Sequence, residues 1–215
     1  MKLAITYFNT LGSALALSAG AALAMTFASG EACAGQRPAA PGQEMQIDDQ
    51  PGYVPSAEEE QLDPQYQRQF VFFRTNETPG TIIVQTGERF LYVVQGNNRA
   101  IRYGIGVGRE GFQWGGLLKI SRKQEWPDWR PPPEMIERQP YLPRFMAGGK
   151  GNPLGARAMY LGSTVYRIHG TNQPETIGSA VSSGCFRLVN PDVIDLFDRV
   201  PVGTKVIVRQ APPVS

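Results

Sequence analysis

One histidine and two cysteines are the only imidazole and thiol groups in this sequence of 215 residues. His169, Cys33 and Cys185 are too few to build the Cys/His clusters of the usual zinc sites. The G-x-S-x-G motif of serine hydrolases is also missing. The sequence therefore predicts no metal and no cofactor, and His169 is the only imidazole available for acid–base chemistry.

A strong charge of either sign is missing as well. Lysine and arginine total 21 against 19 aspartates and glutamates, which gives a formal net charge of +2. No basic stripe interleaves with aromatic residues, the pattern expected of a nucleic-acid-binding surface. We therefore expect no nucleic-acid partner.

The first 34 residues have the pattern of a secretory signal. Lys2 supplies a short basic region, Leu11 to Phe27 is apolar and alanine-rich, and Ala32-Cys33-Ala34 offers a cleavage site. We predict a signal peptide over residues 1–34, cleaved near Ala34, and a secreted protein. An uncleaved membrane anchor is the alternative, although glycines and serines interrupt the apolar run and the run is short for a span.

Cleavage near Ala34 would remove one of the two cysteines. Cys185 would then be alone in the mature chain, and no intramolecular disulfide could form. An unpaired thiol in a secreted protein needs a reason, because secretion exposes it to oxidation. A catalytic nucleophile is the simplest reason.

Abundant turn formers point to a mainly β fold. The 24 glycines and 18 prolines favour many turns and short strands over long helices. We expect a β-sandwich or barrel of mixed sheets with one short helix after Cys185, in which Asn190 is the N-cap and Pro191 the first helical residue. Alternating β-branched and aromatic residues predict strands over residues 81–85, 89–95, 99–107, 117–121, 157–161, 164–168 and 204–209.

The composition divides the rest of the chain into a linker and one domain. Residues 35–78 are rich in proline, glutamine and acidic residues, so we predict a disordered or loosely docked linker. Its more apolar part, residues 65–74, can dock as a strand or a short turn. The folded domain is predicted over residues 79–211. Residues 106–111 match G-x-G-x-x-G, but no helix start follows, so we predict a turn with close packing and no dinucleotide site.

The segment from Trp126 to Gly151 is a long insertion with six prolines and two tryptophans. Regular structure is excluded over most of it, except for one helical turn near residues 133–137. Long loops of this kind are often lids or binding surfaces, so we predict that it covers the functional site. Its three arginines, Arg130, Arg138 and Arg144, suit a ligand that carries carboxylates. A surface flap without a role is the alternative.

The candidate site lies within residues 168–190, where His169 and Cys185 are sixteen positions apart. A neutral imidazole can take the proton of a thiol and leave a thiolate, which attacks carbonyl carbon. Gly170 and Gly184 flank the pair and tolerate tight turns. The backbone amides from Ser183 to Cys185 are candidates to hold an oxyanion.

These residues resemble the signature of the L,D-transpeptidase (YkuD-type) catalytic domain, a family of bacterial cell-wall enzymes. The resemblance rests on His169-Gly170-Thr171-Asn172, on Ile177-Gly178 and on Ser182-Ser183-Gly184-Cys185-Phe186-Arg187, and extends from about Gly80 to Arg209. The family usually has histidine at the position of Ser183. The family's general base matches His169, so the departure leaves the catalytic pair intact and puts only the role of the second histidine in doubt.

The resemblance implies peptidoglycan L,D-transpeptidation in the periplasm or cell envelope. Cys185 would attack a donor tetrapeptide stem, release D-Ala, and pass the acyl group to an amine, giving a 3-3 cross-link. The Gly170 carbonyl would orient His169, and Asn172 and Arg187 are candidates for substrate contacts. The partners implied are peptidoglycan stems as donor and acceptor, or a protein to be anchored to the wall.

Three other functions stay open on the sequence. Water can replace the amine, which would make the protein a thiol hydrolase of the L,D-carboxypeptidase type. The enzyme can anchor a protein to peptidoglycan. A wall-binding module without catalysis is disfavoured by the intact His169 and Cys185 pair. The oligomeric state is also left open.

Overall fold

The computed structural model of the chain describes residues 51–57 and 61–210. The predicted signal peptide, with Cys33 and the cleavage site, and the first part of the predicted linker lie outside the described residues. Within these two ranges, no helix combines the length and the apolar character that crossing a membrane requires.

The described chain is built on one mixed sheet of nine strands, in the order β1-β4-β3-β2-β11-β6-β7-β8-β10, and a small parallel pair, β5-β9. The strands are β1 (Gln69–Phe72), β2 (Ile82–Gln85), β3 (Phe90–Gly96), β4 (Arg99–Gly104), β5 (Val107–Gly108), β6 (Gly116–Glu125), β7 (Arg157–Leu161), β8 (Arg167–His169), β9 (Ala180–Ser182), β10 (Phe186–Arg187) and β11 (Lys205–Arg209). The α-helices are α1 (Pro133–Arg138) and α2 (Asn190–Arg199), and two 3₁₀ turns span Pro64–Tyr66 and Pro174–Thr176.

Strand β6 joins the two halves of the large sheet. Its first residues pair with β11 and its last residues with β7, with a register shift between Ile120 and Arg122. One apolar core takes side chains from both halves, including Val84 and Leu91 from one half and Met159 from the other. The sheet therefore covers a single core from two sides, as a sandwich does.

The expectation of a mainly β fold is confirmed. The predicted hairpin of residues 81–95 is the antiparallel pair β2-β3, and the strand predicted at residues 117–121 extends over all of β6. The predicted strand over residues 164–168 is shorter in the structure, because β8 begins at Arg167 and ends at His169. The helical turn predicted in the long insertion is present as α1.

Part of the predicted linker adds a strand to the sheet. Residues 69–72 form β1, which pairs antiparallel with β4 and places Phe70 opposite Ile101. Val71 and Phe73 pack on the face of the sheet that points away from the main core, beside Tyr92 and Val94. Successive side chains of this short stretch point to opposite faces of the sheet. Val71 and Phe73 therefore lie on the same face, and their packing against the neighbouring strands accounts for the docking.

The predicted N-cap of α2 is wrong. Val189 is the N-cap and Asn190 is the first helical residue. The Asn190 side chain does not cap the helix: its Oδ1 accepts from the Ala156 N–H at 2.9 Å, and its Nδ2 donates to the Thr171 carbonyl at 3.1 Å. A tertiary contact has thus replaced the local bond that the sequence pattern predicted.

The insertion between β6 and β7 has a small core of its own. Trp129, Met135, Leu142 and Leu154 are buried together, and Ile136 and Met146 pack against them. Trp129 and Met146 also exchange two backbone hydrogen bonds, at 2.8 and 2.9 Å. These contacts make the insertion an ordered unit in spite of its prolines.

An acidic pair on α2 holds the chain that leads into β1. Arg68 lies 2.9 Å from Asp195 and 3.7 Å from Asp192, and Tyr103 donates to Asp195 at 2.6 Å. Burial raises the pKa of Asp192 to about 6, whereas the hydrogen bond from Arg199 lowers the pKa of Asp195 to about 2. The two neighbouring carboxylates therefore have opposite effects on the pH dependence of folding.

Replacing Asp192 should change how stability depends on pH. Because the folded protein holds the Asp192 proton more tightly than the unfolded chain, ionisation of this carboxyl opposes folding as pH rises from about 4 to 6. The free energy of unfolding of Asp192→Asn, minus that of the wild type, should therefore increase by about 1–3 kcal/mol over this range. Urea unfolding at several pH values measures it. The exposed Asp198→Asn on the same helix is the control, and a difference that does not change with pH would contradict the expectation.

Candidate active site

His169 is positioned by the strands on both of its sides. It is the last residue of β8 and lies opposite Ala158 in β7 and opposite Arg187 in β10. Paired residues share a face of a sheet, and successive residues alternate between faces. His169 and Arg187 therefore share the outer face, while their neighbours Ile168 and Phe186 point into the core.

Cys185 comes immediately before β10, two residues from Arg187. From the alternation of side chains along an extended chain we infer that the thiol lies on the same face as His169. The spacing of parallel strands puts the Cα atoms of Cys185 and His169 about 8 Å apart, a separation that the two side chains can bridge. The thiol is partly exposed and lies 3.9 Å from the Val165 carbonyl.

The imidazole of His169 is held in one tautomer. Its Nδ1 lies 2.5 Å from the Gly170 carbonyl oxygen. Because a carbonyl oxygen only accepts, Nδ1 carries the proton and donates it, which leaves the lone pair on Nε2. Burial lowers the pKa of His169 to about 3, helped by the positive charges of Arg187 and Arg167 and opposed by the Gly170 bond. The side chain is therefore a neutral base at pH 7.

The turn that carries Cys185 is fixed by three hydrogen bonds. Ser182 Oγ donates to the Cys185 carbonyl at 2.6 Å and accepts from the Gly184 N–H at 3.3 Å, while Trp114 Nε1 donates to the Gly184 carbonyl at 2.7 Å. Gly184 has a φ of +100°, and a Cβ there would lie 2.7 Å from the Tyr166 ring. Both the angle and the space require glycine.

The same bonds bear on the predicted oxyanion site. The Gly184 amide, one of the amides expected to hold an oxyanion, donates instead to Ser182 within the turn. Gly170 acts on His169 through its carbonyl oxygen, in the geometry that orients an imidazole. The roles predicted for Gly170, Ser183 and Gly184 remain predictions.

The long insertion reaches the site at Ser183. Arg138 of α1 donates to Ser183 Oγ at 3.4 Å, and its guanidinium lies 5.3 Å from the centre of the Phe112 ring. Arg109 lies 4.5 Å from the centre of the same ring. The residue next to Gly184 and Cys185 is thus in contact with the segment that the sequence predicts to be a lid.

Asn172 lies in the framework around the site. It has no exposed surface, and its Nδ2 donates to the carbonyls of Tyr53 and Gly151 at 3.1 and 3.3 Å. Its amide ties the segment before the domain and the end of the insertion to the loop after His169. The substrate contact predicted at Asn172 stays a prediction.

Arg187, the other predicted substrate contact, is buried beside His169 at 3% exposure. Its backbone exchanges hydrogen bonds with Gly106 at 2.9 and 3.0 Å, and a Cβ on Gly106 would lie 3.4 Å from the Arg187 Cβ. That Cβ would also lie only 2.9 Å from the Thr176 carbonyl oxygen, and this closer approach explains the first glycine of the G-x-G-x-x-G stretch. Arg187 therefore supplies a buried positive charge within the site.

Sequence reasoning missed two residues that the structure brings to the site. Arg167 is two positions before His169 in β8, so it shares the outer face, and strand alternation was the signal that could have revealed it. Asn190 joins the start of β7 to the loop after His169, and no local pattern indicates this role. Among residues 51–57 and 61–210, no group of three or more Cys, His, Asp or Glu side chains is placed to hold a metal.

Comparison with known proteins identifies the family of this chain. The family model YkuD, described as the L,D-transpeptidase catalytic domain, matches residues 79–208. The probable L,D-transpeptidase ErfK/SrfK of Escherichia coli is 40% identical over 140 residues, which are 61% of this chain and 44% of that protein. The chain therefore belongs to the YkuD family of L,D-transpeptidase catalytic domains, and it spans less than half the length of that relative.

The chain also matches two solved structures. The Ldtfm–avibactam carbamoyl enzyme has a TM-score of 0.50 and 18% identity, and the match covers 63% of this chain and 51% of that one. A protein of Brucella melitensis described as a probable carnitine operon oxidoreductase is 50% identical over 72% of this chain and 100% of that one, with a TM-score of 0.47. Membership of the family rests on the YkuD match and not on these structures.

Removal of the Asn190 side chain should loosen the frame of the site. In Asn190→Ala, the Ala156 N–H and the Thr171 carbonyl lose their partner, which should lower the free energy of unfolding by about 1–3 kcal/mol. Urea unfolding measures the loss. The exposed Asn76→Ala is the matched control and should change stability by less than about 0.5 kcal/mol. Equal changes in the free energy of unfolding for the two variants would show that the Asn190 side chain stabilises the fold no more than an exposed asparagine does.

Proposed function

We propose that this chain is a peptidoglycan L,D-transpeptidase that acts through Cys185 and His169. The proposal rests on one observation above the others. A neutral imidazole, held with its Nε2 lone pair available by the Gly170 carbonyl, lies opposite Arg187 of β10, two residues after the Cys185 thiol. Family membership supplies the substrate class, since relatives of this chain are named as L,D-transpeptidases.

The proposed reaction has two acyl-transfer steps. His169 Nε2 takes the Cys185 proton as the sulfur attacks the carbonyl between the third residue of the donor stem and the terminal D-Ala. The C–N bond breaks, His169 returns the proton to the departing amine, and a thioester remains on Cys185. An acceptor amine then attacks the thioester, loses a proton to His169, and releases the thiol with a new amide bond.

The charges around His169 favour this order of events. Burial, together with the positive charges of Arg187 and Arg167, disfavours a positive imidazole, so the resting imidazole is a neutral base. Negative charge that develops on the sulfur or on the attacked oxygen offsets the positive charge of the arginines. The imidazole therefore accepts the Cys185 proton as that negative charge develops. The arginines thereby stabilise the anionic transition state more than the resting state.

Transfer to an amine, rather than to water, is the outcome we propose for the thioester. The ordered insertion contacts Ser183 beside the nucleophile, and we infer that the insertion limits the access of water to the thioester. A second stem peptide is proposed as the acceptor, which gives 3-3 cross-links in the cell envelope, where the predicted signal would direct the chain. The test is to incubate the protein with tetrapeptide-rich wall fragments and to analyse the digests by mass. Linked dimers support transfer to a stem, and free tripeptides point to a hydrolase. Linkage that appears only after a wall protein is added points to anchoring.

The nucleophile can be identified by acylation. A carbapenem, which mimics the stem amide, should leave one covalent adduct on Cys185 of the full chain and none on Cys185→Ala. His169→Gln should acylate about two to four orders of magnitude more slowly, because it removes the general base. Intact-protein mass spectrometry follows both. Asn76→Ala should react like the wild type, and full labelling of Cys185→Ala would refute the assignment.

The low pKa of His169 makes a separate prediction about pH. Since the folded-state pKa is lowered to about 3, His169 stays unprotonated from pH 7 down to pH 5. The single-turnover rate of carbapenem acylation should therefore fall by less than about threefold over this range. A histidine of ordinary pKa would cost roughly twenty- to thirtyfold there, because its neutral fraction shrinks. Stopped-flow measurement decides between them, and an acid limb near pH 6.5 would contradict the assigned environment.

A further inference from the structure

A row of two arginines and a tyrosine crosses the sheet beside the proposed catalytic pair. Tyr160 of β7 lies opposite Arg122 of β6 and opposite Arg167 of β8. The guanidinium of Arg122 lies 3.8 Å from the centre of the Tyr160 ring, and that of Arg167 lies 5.4 Å from it. The two charges are therefore within about 9 Å of each other, close enough to repel.

This row lies on the face that carries His169. Arg167 precedes His169 by two positions in β8, and the alternating residues Met159 and Ile168 point into the core. Cys185 precedes Phe186, which pairs with Ile168, so the row continues from Arg167 towards the thiol. Neighbouring strands are about 4.8 Å apart, so Arg167 adjoins the position of the nucleophile.

The positive charges of the row are not neutralised by the part of the chain that the structure describes. No carboxylate among residues 51–57 and 61–210 forms an ion pair with Arg122 or Arg167. Arg122 donates to Gln124 Oε1 at 2.6 Å, and the buried Nε of Arg167 has no hydrogen-bond partner in those ranges. Two cations held at one ring without an acid between them form a site for an anion.

We propose that Arg167, with Arg122 and Tyr160, forms a carboxylate-binding subsite next to Cys185 that takes a free carboxylate of the donor peptide. The proposal deepens the proposed function and rests on it for the identity of the peptide. A guanidinium offers a planar fork that matches a carboxylate in bidentate fashion, and Tyr160 holds the forks in place by stacking. A ligand carboxylate at Arg167 would bring the neighbouring amide carbonyl beside the thiol.

The assignment moves carboxylate recognition from the insertion to the sheet. Arg130 of the insertion is exposed and stacks on Phe145, with 4.6 Å between the guanidinium and the ring centre. Arg138 contacts Ser183 and the Phe112 ring. Arg167, in contrast, lies in the strand that ends in His169 and shares the Tyr160 ring with Arg122 of the neighbouring part of the sheet.

Equilibrium titration of the full chain carrying Cys185→Ala tests the subsite without turnover. Three donor peptides are compared: the free tetrapeptide, its C-terminal amide, and the peptide with the third-residue side-chain carboxylate converted to a carboxamide. Arg167→Gln should weaken binding of the free tetrapeptide roughly ten- to hundredfold, the loss expected for a charge-assisted hydrogen bond. One of the two amidated peptides lacks the carboxylate that Arg167 recognises, and Arg167→Gln should leave the binding of that peptide unchanged. The peptide that shows no change therefore identifies which carboxylate of the donor binds at Arg167.

Matched variants keep the test decisive. Arg102→Gln removes an arginine that stacks 4.1 Å above Phe90 in the other half of the sheet, and it should leave binding unchanged. Arg122→Gln should show the same dependence on the carboxylate as Arg167→Gln, with a smaller loss, and serves if Arg167→Gln does not fold. Arg167→Lys, which keeps the charge without the fork, should bind between the wild type and Arg167→Gln.

The outcomes separate this proposal from the proposed function. Equal weakening of all three peptides by Arg167→Gln and Arg122→Gln, or no weakening of any, overturns the subsite even if the wild type cross-links stems. A loss of affinity that depends on one carboxylate supports the subsite, whatever the activity of the wild type. If the wild-type chain with Cys185 neither transfers nor hydrolyses the donor, that absence of activity overturns the proposed function and leaves the subsite standing.

Discussion

The site depends on a parallel ladder only two residues long. It pairs Phe186 with Ile168 and Arg187 with His169, and it brings together a histidine and a cysteine that are sixteen positions apart. The core-facing members of both pairs, Ile168 and Phe186, are almost fully buried, so the hydrophobic effect holds the register. A slip by one residue would turn His169 into the core and Ile168 outward.

A second constraint is the burial of positive charge beside a neutral base. His169 is buried at 4% exposure, with Arg167 two positions before it in β8 and Arg187 opposite it in β10. Burial and like charge both oppose protonation, and the hydrogen bond to Gly170 offsets only part of that effect. A site with this balance favours ligands and transition states that bring negative charge, because they relieve the repulsion that the fold maintains.

The surroundings make this geometry rigid. Trp114 stacks on Tyr166, with 4.4 Å between the ring centres, and its indole N–H holds the carbonyl of Gly184. On the other side, Asn172 and Asn190 fasten the loop after His169 to the insertion and to the start of β7. The two residues proposed for catalysis thus sit at strand ends, His169 at the end of β8 and Cys185 just before β10, and packed aromatic rings and buried amides fix the loops beside them.

The sequence by itself determined the mainly β character, the central hairpin and the pair of residues proposed for catalysis. These properties have local signals: alternating side chains, turn residues between strands, and a rare histidine and cysteine set among glycines. Strand β1 was anticipated only as an apolar stretch that can dock, because its partner, β4, is about thirty residues away in the chain.

Tertiary structure alone decided which polar side chains face the site. Asn190 has the local pattern of an N-cap and Asn172 follows His169 in the recognised motif, and the side chains of both bind backbone groups distant in sequence. Arg167 became part of the site because β8 pairs with β7 on one side and with β10 on the other. The choice between a local bond and a distant one depends on which backbone groups folding leaves buried without a partner, and a sequence pattern does not contain that information.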